Sequence, residues 1–150
     1  MSGNQRSVLI IDDDETDRFV LKRLLRGADT DWHCFEVSHG GEALAFFGDF
    51  EANKRRYGDL FPPTLALLDI NMPVMNGFEF LAAFAKLKDA RPEVHTSVVV
   101  LLTSSASTLE REQAVDRPFV QAFLLKDELT AEQLQRTVES ARVQRPRSYA

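Results

Sequence analysis

Leu65-Ala66-Leu67-Leu68-Asp69-Ile70-Asn71-Met72-Pro73-Val74-Met75-Asn76-Gly77 decides the reading of this chain. Four apolar residues run into a carboxylate, and a loop punctuated by Pro73 and Gly77 follows. A short, wholly apolar run suits a strand buried on both faces of a sheet. Asp69 at its end is held rigidly yet stays open to solvent, as a nucleophilic or metal-binding carboxylate must.

Three more apolar runs end in chemically useful groups. Val8 to Ile11 ends in Asp12-Asp13-Asp14, and Val98 to Leu102 ends in Thr103-Ser104-Ser105. Val120 to Leu125, interrupted only by Gln121, ends in Lys126. Trp32 to Val37 is more polar and alternates, as an edge strand does. The stretches between these runs read as amphipathic helices, so strand and helix alternate along the chain. That pattern predicts an α/β fold, a doubly wound five-stranded parallel sheet. Parallel strands all point one way, and open sheets of this kind bind ligands beyond the carboxyl ends of their strands. Asp12, Asp13, Asp69, Thr103 and Lys126 are therefore expected to converge from four distant parts of the sequence.

The chemistry of such a group is coherent. Three neighbouring carboxylates repel one another and raise one another's pKa unless a cation joins them. Hard oxygen ligands with room for water suit Mg²⁺. A lysine adds a point charge for phosphate, and a threonine hydroxyl adds a donor. Together these groups would stabilise the charge of a phosphoryl group in transfer. Asp69 would be the nucleophile, forming an acyl phosphate.

On these residues, across roughly Ser7 to Arg142, the chain resembles the receiver domains of two-component response regulators, the CheY-like group. The resemblance implies a flavodoxin-like sheet of strand order 2-1-3-4-5, a single receiver domain over residues 1–150 with its core at about 7–143, and Asp69 as phosphoacceptor. It implies that Asp12, Asp13, Asp69 and the backbone carbonyl of Asn71 hold Mg²⁺. Thr103 would bond a phosphoryl oxygen and Lys126 would pair with it. The family's switch aromatic falls on Phe123, three residues before the lysine; Thr103 would move toward the phosphate and Phe123 rotate inward. A phosphoryl group adds roughly −1.5 to −2 charges at one point, and this pair would be the element it biases. The face remodelled would be that of the helix near 108–115, the strand 120–125 and the last helix.

The family lysine is usually followed by proline in a cis peptide, whereas Asp127 follows here. A cis bond to Asp costs about 2.5–4 kcal/mol, so a trans turn is expected. The switch position holds Phe where Tyr is common, so it offers a partner no hydroxyl. The segment Gly48 to Pro63 resembles, in its length, the extended connection of receivers that serve phytochrome-type kinases.

The chain has 150 residues and one cysteine, Cys34, with a formal net charge of −5. One ordinary domain is the expectation, with a stand-alone receiver whose output passes through an unidentified downstream protein. The acidic balance argues against nucleic-acid binding by a basic surface. A lone cysteine fits a reducing compartment. No signal-like segment opens the chain, and no apolar stretch approaches the ~20 residues needed to span a membrane. A cytoplasmic protein without membrane contact is expected. Its partners would be a sensor histidine kinase or a histidine phosphotransfer protein, and receivers of this group often pair as homodimers.

Local signals place Asp14 as the N-cap of a helix running to about Arg26, with Gly27 as its stop and Phe19, Val20, Leu24 and Leu25 as its buried stripe. Gly40-Gly41 precedes a second helix carrying Ala43, Leu44, Phe46 and Phe47, and Gly77 to about Ala90 forms another, stopped by Arg91-Pro92-Glu93. A short helix is expected at Thr108 to Val115, and a final one from a Thr130 cap to about Val143. His33, His39 and His95 lack metal-ligand spacing and read as solvated or capping residues.

Blander readings stand beside each assignment. Helix capping would account for one acid of the 12–14 triplet, and Asp14 fills that role. A Ser/Thr turn would account for Thr103, and half-buried strand packing for Phe123. An aspartyl phosphatase of the haloacid-dehalogenase kind needs a second acid two residues after its nucleophile. Asn71 stands there, so the chain is not expected to be an enzyme with an independent substrate. A receiver-like docking scaffold that is never phosphorylated is the remaining alternative.

Overall fold

Continuous apolar strands with period-two alternation send side chains to both faces of a sheet. The computed structural model describes residues 6–27, 32–72, 75–104 and 118–144. Its strands are β1 (Arg6–Ile11), β2 (Trp32–Val37), β3 (Leu65–Asp69), β4 (Val98–Thr103) and β5 (Val120–Leu125). They pair in the order β2-β1-β3-β4-β5, and every pairing is parallel. The strand order reverses between β1 and β3, so the ends of these two flank the crevice where ligands bind in such sheets.

Among the described residues five helices accompany the strands: α1 (Glu15–Gly27), α2 (Gly40–Gly48), α3 (Phe50–Tyr57), α4 (Gly77–Ala90) and α5 (Ala131–Gln144). On one sheet face Leu9, Ile11, Leu68, Val99 and Leu101 pack with Ala43 and Phe47 of α2 and Phe80, Leu81 and Phe84 of α4. On the other, Val8, Ile10, Leu67, Val100 and Leu102 pack with Leu21 and Leu25 of α1 and Leu134 of α5. Each large side chain fully buried this way stabilises the fold by about 1.5–3 kcal/mol. That burial fixes the register, because a slip of one residue would exchange the two faces.

Capping follows the sequence closely. Asp14 Oδ1 accepts from the amides of Thr16 (2.8 Å) and Asp17 (3.1 Å). Thr130 Oγ1 accepts from Gln133 N–H at 3.1 Å. His39 caps α2, its Nδ1 accepting from Glu42 N–H at 3.2 Å. Lys88 is buried near the end of α4 and donates to the carbonyls of Val94 and Ser97, both at 2.7 Å. It thereby pins the 3₁₀ turn Pro92–Thr96 that leads into β4.

One expectation needs correction. Phe19 and Val20 are 53% and 47% exposed, while Leu21 and Leu25 form the buried face of α1. Successive helical side chains are about 100° apart, and once Leu21 and Leu25 face the sheet, Phe19 and Val20 turn outward. The connection from Gly48 to Pro63 contains a helix, α3, and a 3₁₀ turn at Gly58–Leu60. No α3 residue is buried, so the helix carries no apolar stripe to announce it. Its ends are instead held by rings: Tyr57 lies edge-on to Phe35 at 4.8 Å, and Phe50 to the buried Phe61 at 5.2 Å. The helix predicted at Thr108 to Val115 lies outside the described residues, as do Pro73 and Ser105.

Candidate functional site

Asp12 leaves β1 with its carboxylate almost wholly buried. Its Oδ1 accepts from Asp14 N–H at 2.9 Å. Its backbone is held on both sides, by its own amide to the Val37 carbonyl (3.2 Å) and by Arg18 Nη1 to its carbonyl (2.6 Å). One carboxylate oxygen is thus committed to the backbone, and the other faces the site. Asp13, next in the chain, is exposed.

Asp69 closes β3 and, against the expectation of a solvent-open carboxylate, is only 5% exposed. Its Oδ1 accepts from Asn71 N–H at 3.1 Å. The loop after it is anchored by Ile70 N–H to the Leu102 carbonyl (3.0 Å) and by Gly77 N–H to the Ile70 carbonyl (2.8 Å). Gly77 is required by close approach: a Cβ there would lie 2.8 Å from Ile70 Cα and 3.2 Å from the Asp69 carbonyl oxygen. Immediately beyond, Asn76 and Glu79 form a reciprocal capping box that starts α4. The loop that follows Asp69 is therefore tied down at both ends.

Thr103 ends β4 and is fully buried. Asn71 Nδ2 stands 3.5 Å from its Oγ1, a long contact across the crevice. Lys126 follows β5 and begins a 3₁₀ turn, Lys126–Glu128, closed by Leu129 N–H to the Lys126 carbonyl at 3.3 Å. The Lys126–Asp127 peptide is trans, and Phe61–Pro62 is the cis bond among the described residues. The Lys126 ammonium lies 2.8 Å from Asp12 Oδ2, 2.8 Å from Asp17 Oδ2 and 3.4 Å from Asp69 Oδ2.

The strand-end residues therefore do meet. Carboxylate oxygens of Asp12, Asp13 and Asp69 lie within 4.8 Å of one another, with Lys126 against two of them and Thr103 and Asn71 alongside. Phe123 sits on β5 opposite Leu101, partly buried against the α4 side of the sheet, while Leu124 packs on the α1 side. The residue that sequence reasoning passed over is Asp17. An acid in the first turn of a helix reads as pairing with the helix dipole. Its only signal is its place one helical turn after Asp13.

Electrostatics follow from this packing. Burial pushes the Asp69 carboxyl up to about 6; Lys126 opposes that rise and Asp12 adds to it. At neutral pH Asp69 is still mostly an anion. Burial works against the Lys126 ammonium, but its contacts with the Asp12 and Asp17 carboxylates outweigh it and hold its pKa above the usual lysine value. The donor set fits a hard divalent cation: three carboxylates converge with a net excess of negative charge over the single lysine.

A parallel sheet in this order, with an acid pair, a strand-end aspartate, a threonine and a lysine at its carboxyl edge, defines a receiver-type domain. The family model for the response regulator receiver domain matches residues 8–139. The chain belongs to that family. It is 31% identical over 149 residues to the two-component response regulator ARR3 of Arabidopsis thaliana, spanning 99% of this chain and 57% of that protein. It is 28% identical over 107 residues to the response regulator Rcp1 of a Synechocystis strain, spanning 69% of this chain and 65% of that protein. It thus covers less than two thirds of either relative. A solved structure of a two-component response regulator from Cytophaga hutchinsonii superposes with a TM-score of 0.76 at 27% identity, over 93% of this chain and 98% of that one.

Proposed function

We propose that this chain accepts a phosphoryl group on Asp69 from a histidine kinase or a histidine phosphotransfer protein and passes the signal on by changing a binding face. The observation that carries the reading is the convergence of Asp12, Asp13 and Asp69 with Lys126 at the ends of three strands. Family membership supports it.

A carboxylate oxygen of Asp69 attacks phosphorus, a P–O bond forms and the bond from phosphorus to the donor's nitrogen breaks; the departing imidazole keeps its electron pair and takes up a proton. Lys126 offers its ammonium to the oxygens that gain charge, and the Thr103 hydroxyl donates to one of them. The hydrogen bond from Asn71 N–H fixes the orientation of the Asp69 carboxylate. Asp12, Asp13, Asp69 and the Asn71 backbone carbonyl would hold Mg²⁺, which would neutralise charge on the transferred group. Phe123 would then reorient beside β4, altering the surface of β5 and its neighbours. The chain acts in the cytoplasm as a phosphoacceptor without an independent substrate. No helix among the described residues is long and apolar enough to cross a membrane.

Hydroxylamine tests the assignment. It converts an acyl phosphate into a hydroxamate on the residue that carried it. After incubation with a phosphorylated histidine donor, peptide mass spectrometry should find the hydroxamate on Asp69. A phosphate resistant to hydroxylamine, or a hydroxamate on another acid, would overturn the reading.

A further inference from the structure

Lys126 has one ammonium, and three carboxylates face it. Asp12 and Asp17 are at hydrogen-bond distance, both 2.8 Å, while Asp69 stands back at 3.4 Å. The acid that would carry the phosphoryl group is thus the one Lys126 holds most loosely. Asp17 comes from the first turn of α1, and its side chain is 40% exposed against 1% for Asp12. An exposed pair is weakened by water and exchanges more readily than a buried one.

We propose that Asp17 is a positioning residue for Lys126, holding the ammonium on the α1 side of the site in competition with the phosphoryl group on Asp69. The inference rests on the phosphoacceptor reading above. An ammonium has three N–H donors, so Asp12, Asp17, Asp69 and a phosphoryl oxygen cannot all be served at once. A phosphoryl group brings about −1.5 to −2 charges and draws Lys126 away from its most exposed partner. The backbone of Lys126 is fixed by its 3₁₀ turn, so the transfer takes place within the flexible side chain. Asp17 thereby lowers the affinity of the site for a phosphoryl group, and the same exchange releases the first turn of α1 from the site.

Beryllofluoride, a tetrahedral stand-in for a phosphoryl group on a carboxylate, reads this at equilibrium. Its dissociation constant would be measured by titration calorimetry at saturating Mg²⁺ and moderate salt, with the full chain. Asp17→Asn should bind about twofold to fivefold more tightly than wild type, the span of an exposed ion pair. Glu15→Gln removes a charge from the same turn, and no ion pair links Glu15 to Lys126 among the described residues. It should stay within about 1.5-fold of wild type, because a screened charge without contact acts weakly. Tighter binding in Asp17→Asn alone supports the proposal. Unchanged or weaker binding in Asp17→Asn, or equal tightening in Glu15→Gln, overturns it while leaving the phosphoacceptor reading intact. Failure of the wild type to bind overturns that reading, and this one with it.

Discussion

The ammonium of Lys126 stands 3.4 Å from Oδ2 of Asp69, although β3 and β5, which deliver the two residues, are separated by β4. The lysine side chain spans the end of an intervening strand to reach the aspartate. With Asp12 also at 2.8 Å, it is the positive counterpart of an otherwise acidic crevice. The charge balance of the site, and with it the proposed chemistry, depends on that span.

Removing the lysine should expose the cost of the acids. Lys126→Ala leaves Asp12 and Asp69 buried without their counter-charge, a change worth about 3–5 kcal/mol for a fully buried pair. Urea unfolding in EDTA at pH 8 should show a loss toward the low end of that range, since Lys126 is 12% exposed. The loss should shrink at pH 5, where Asp69 binds a proton. An equal loss at both pH values would contradict the charge-based account.

Asp69 itself should weaken the metal-free fold at neutral pH. Its carboxyl sits at about 6 in the native state against an ordinary 3.8, chiefly through burial. Between those values the unfolded chain gives up its proton first, so the native state holds more protons and stability falls as pH rises. Asp69→Asn removes this slope. Its stability advantage over wild type in EDTA should be near zero below pH 4 and reach at most about 3 kcal/mol above pH 7. An advantage that grew on acidification would have the wrong sign.

A metal should reverse that weakness. A ligand bound only by the native state stabilises it by about 2.7 kcal/mol at a hundredfold excess over its dissociation constant. Mg²⁺ should raise the melting temperature of the wild type, whereas Asp13→Asn should melt higher without metal and respond little to it. Thermal scans with and without Mg²⁺ decide the matter; equal shifts in both proteins would remove Asp13 from the metal site.

The close approach at Gly77 predicts a local fault. Gly77→Ala places a methyl against the backbone of Ile70 and Asp69, and forcing atoms into packed space costs typically about 1–3 kcal/mol. Because this loop carries Asp69, phosphorylation by a small donor should slow as well. Gly48→Ala is the contrasting case, since nothing lies within 4 Å of its new methyl. There, a helical alanine should gain about 0.5–1 kcal/mol. Chemical unfolding of both variants checks the pair.

Much of this architecture is legible in the order of the residues. Strands β2 and β5 match their expected bounds, and β1, β3 and β4 differ by one or two end residues, because continuous apolar runs closed by a polar residue mark two-sided burial. The placement of Asp12, Asp69, Thr103 and Lys126 followed from strand polarity alone. The hidden features depend on contacts between distant segments. Helix α3 is held by rings of β2, α2 and the Phe61 segment, which no local periodicity encodes. The rotation of α1 that turns Phe19 outward is set by how Leu21 and Leu25 meet the sheet. Asp17 joins the site only because Lys126 reaches it from the far end of the chain.

The most direct test of the central claim is intact mass after incubation with acetyl phosphate, with and without Mg²⁺, for wild type and Asp69→Asn. The account predicts one added phosphoryl group that requires both the metal and Asp69. An adduct of the same extent in Asp69→Asn would contradict it.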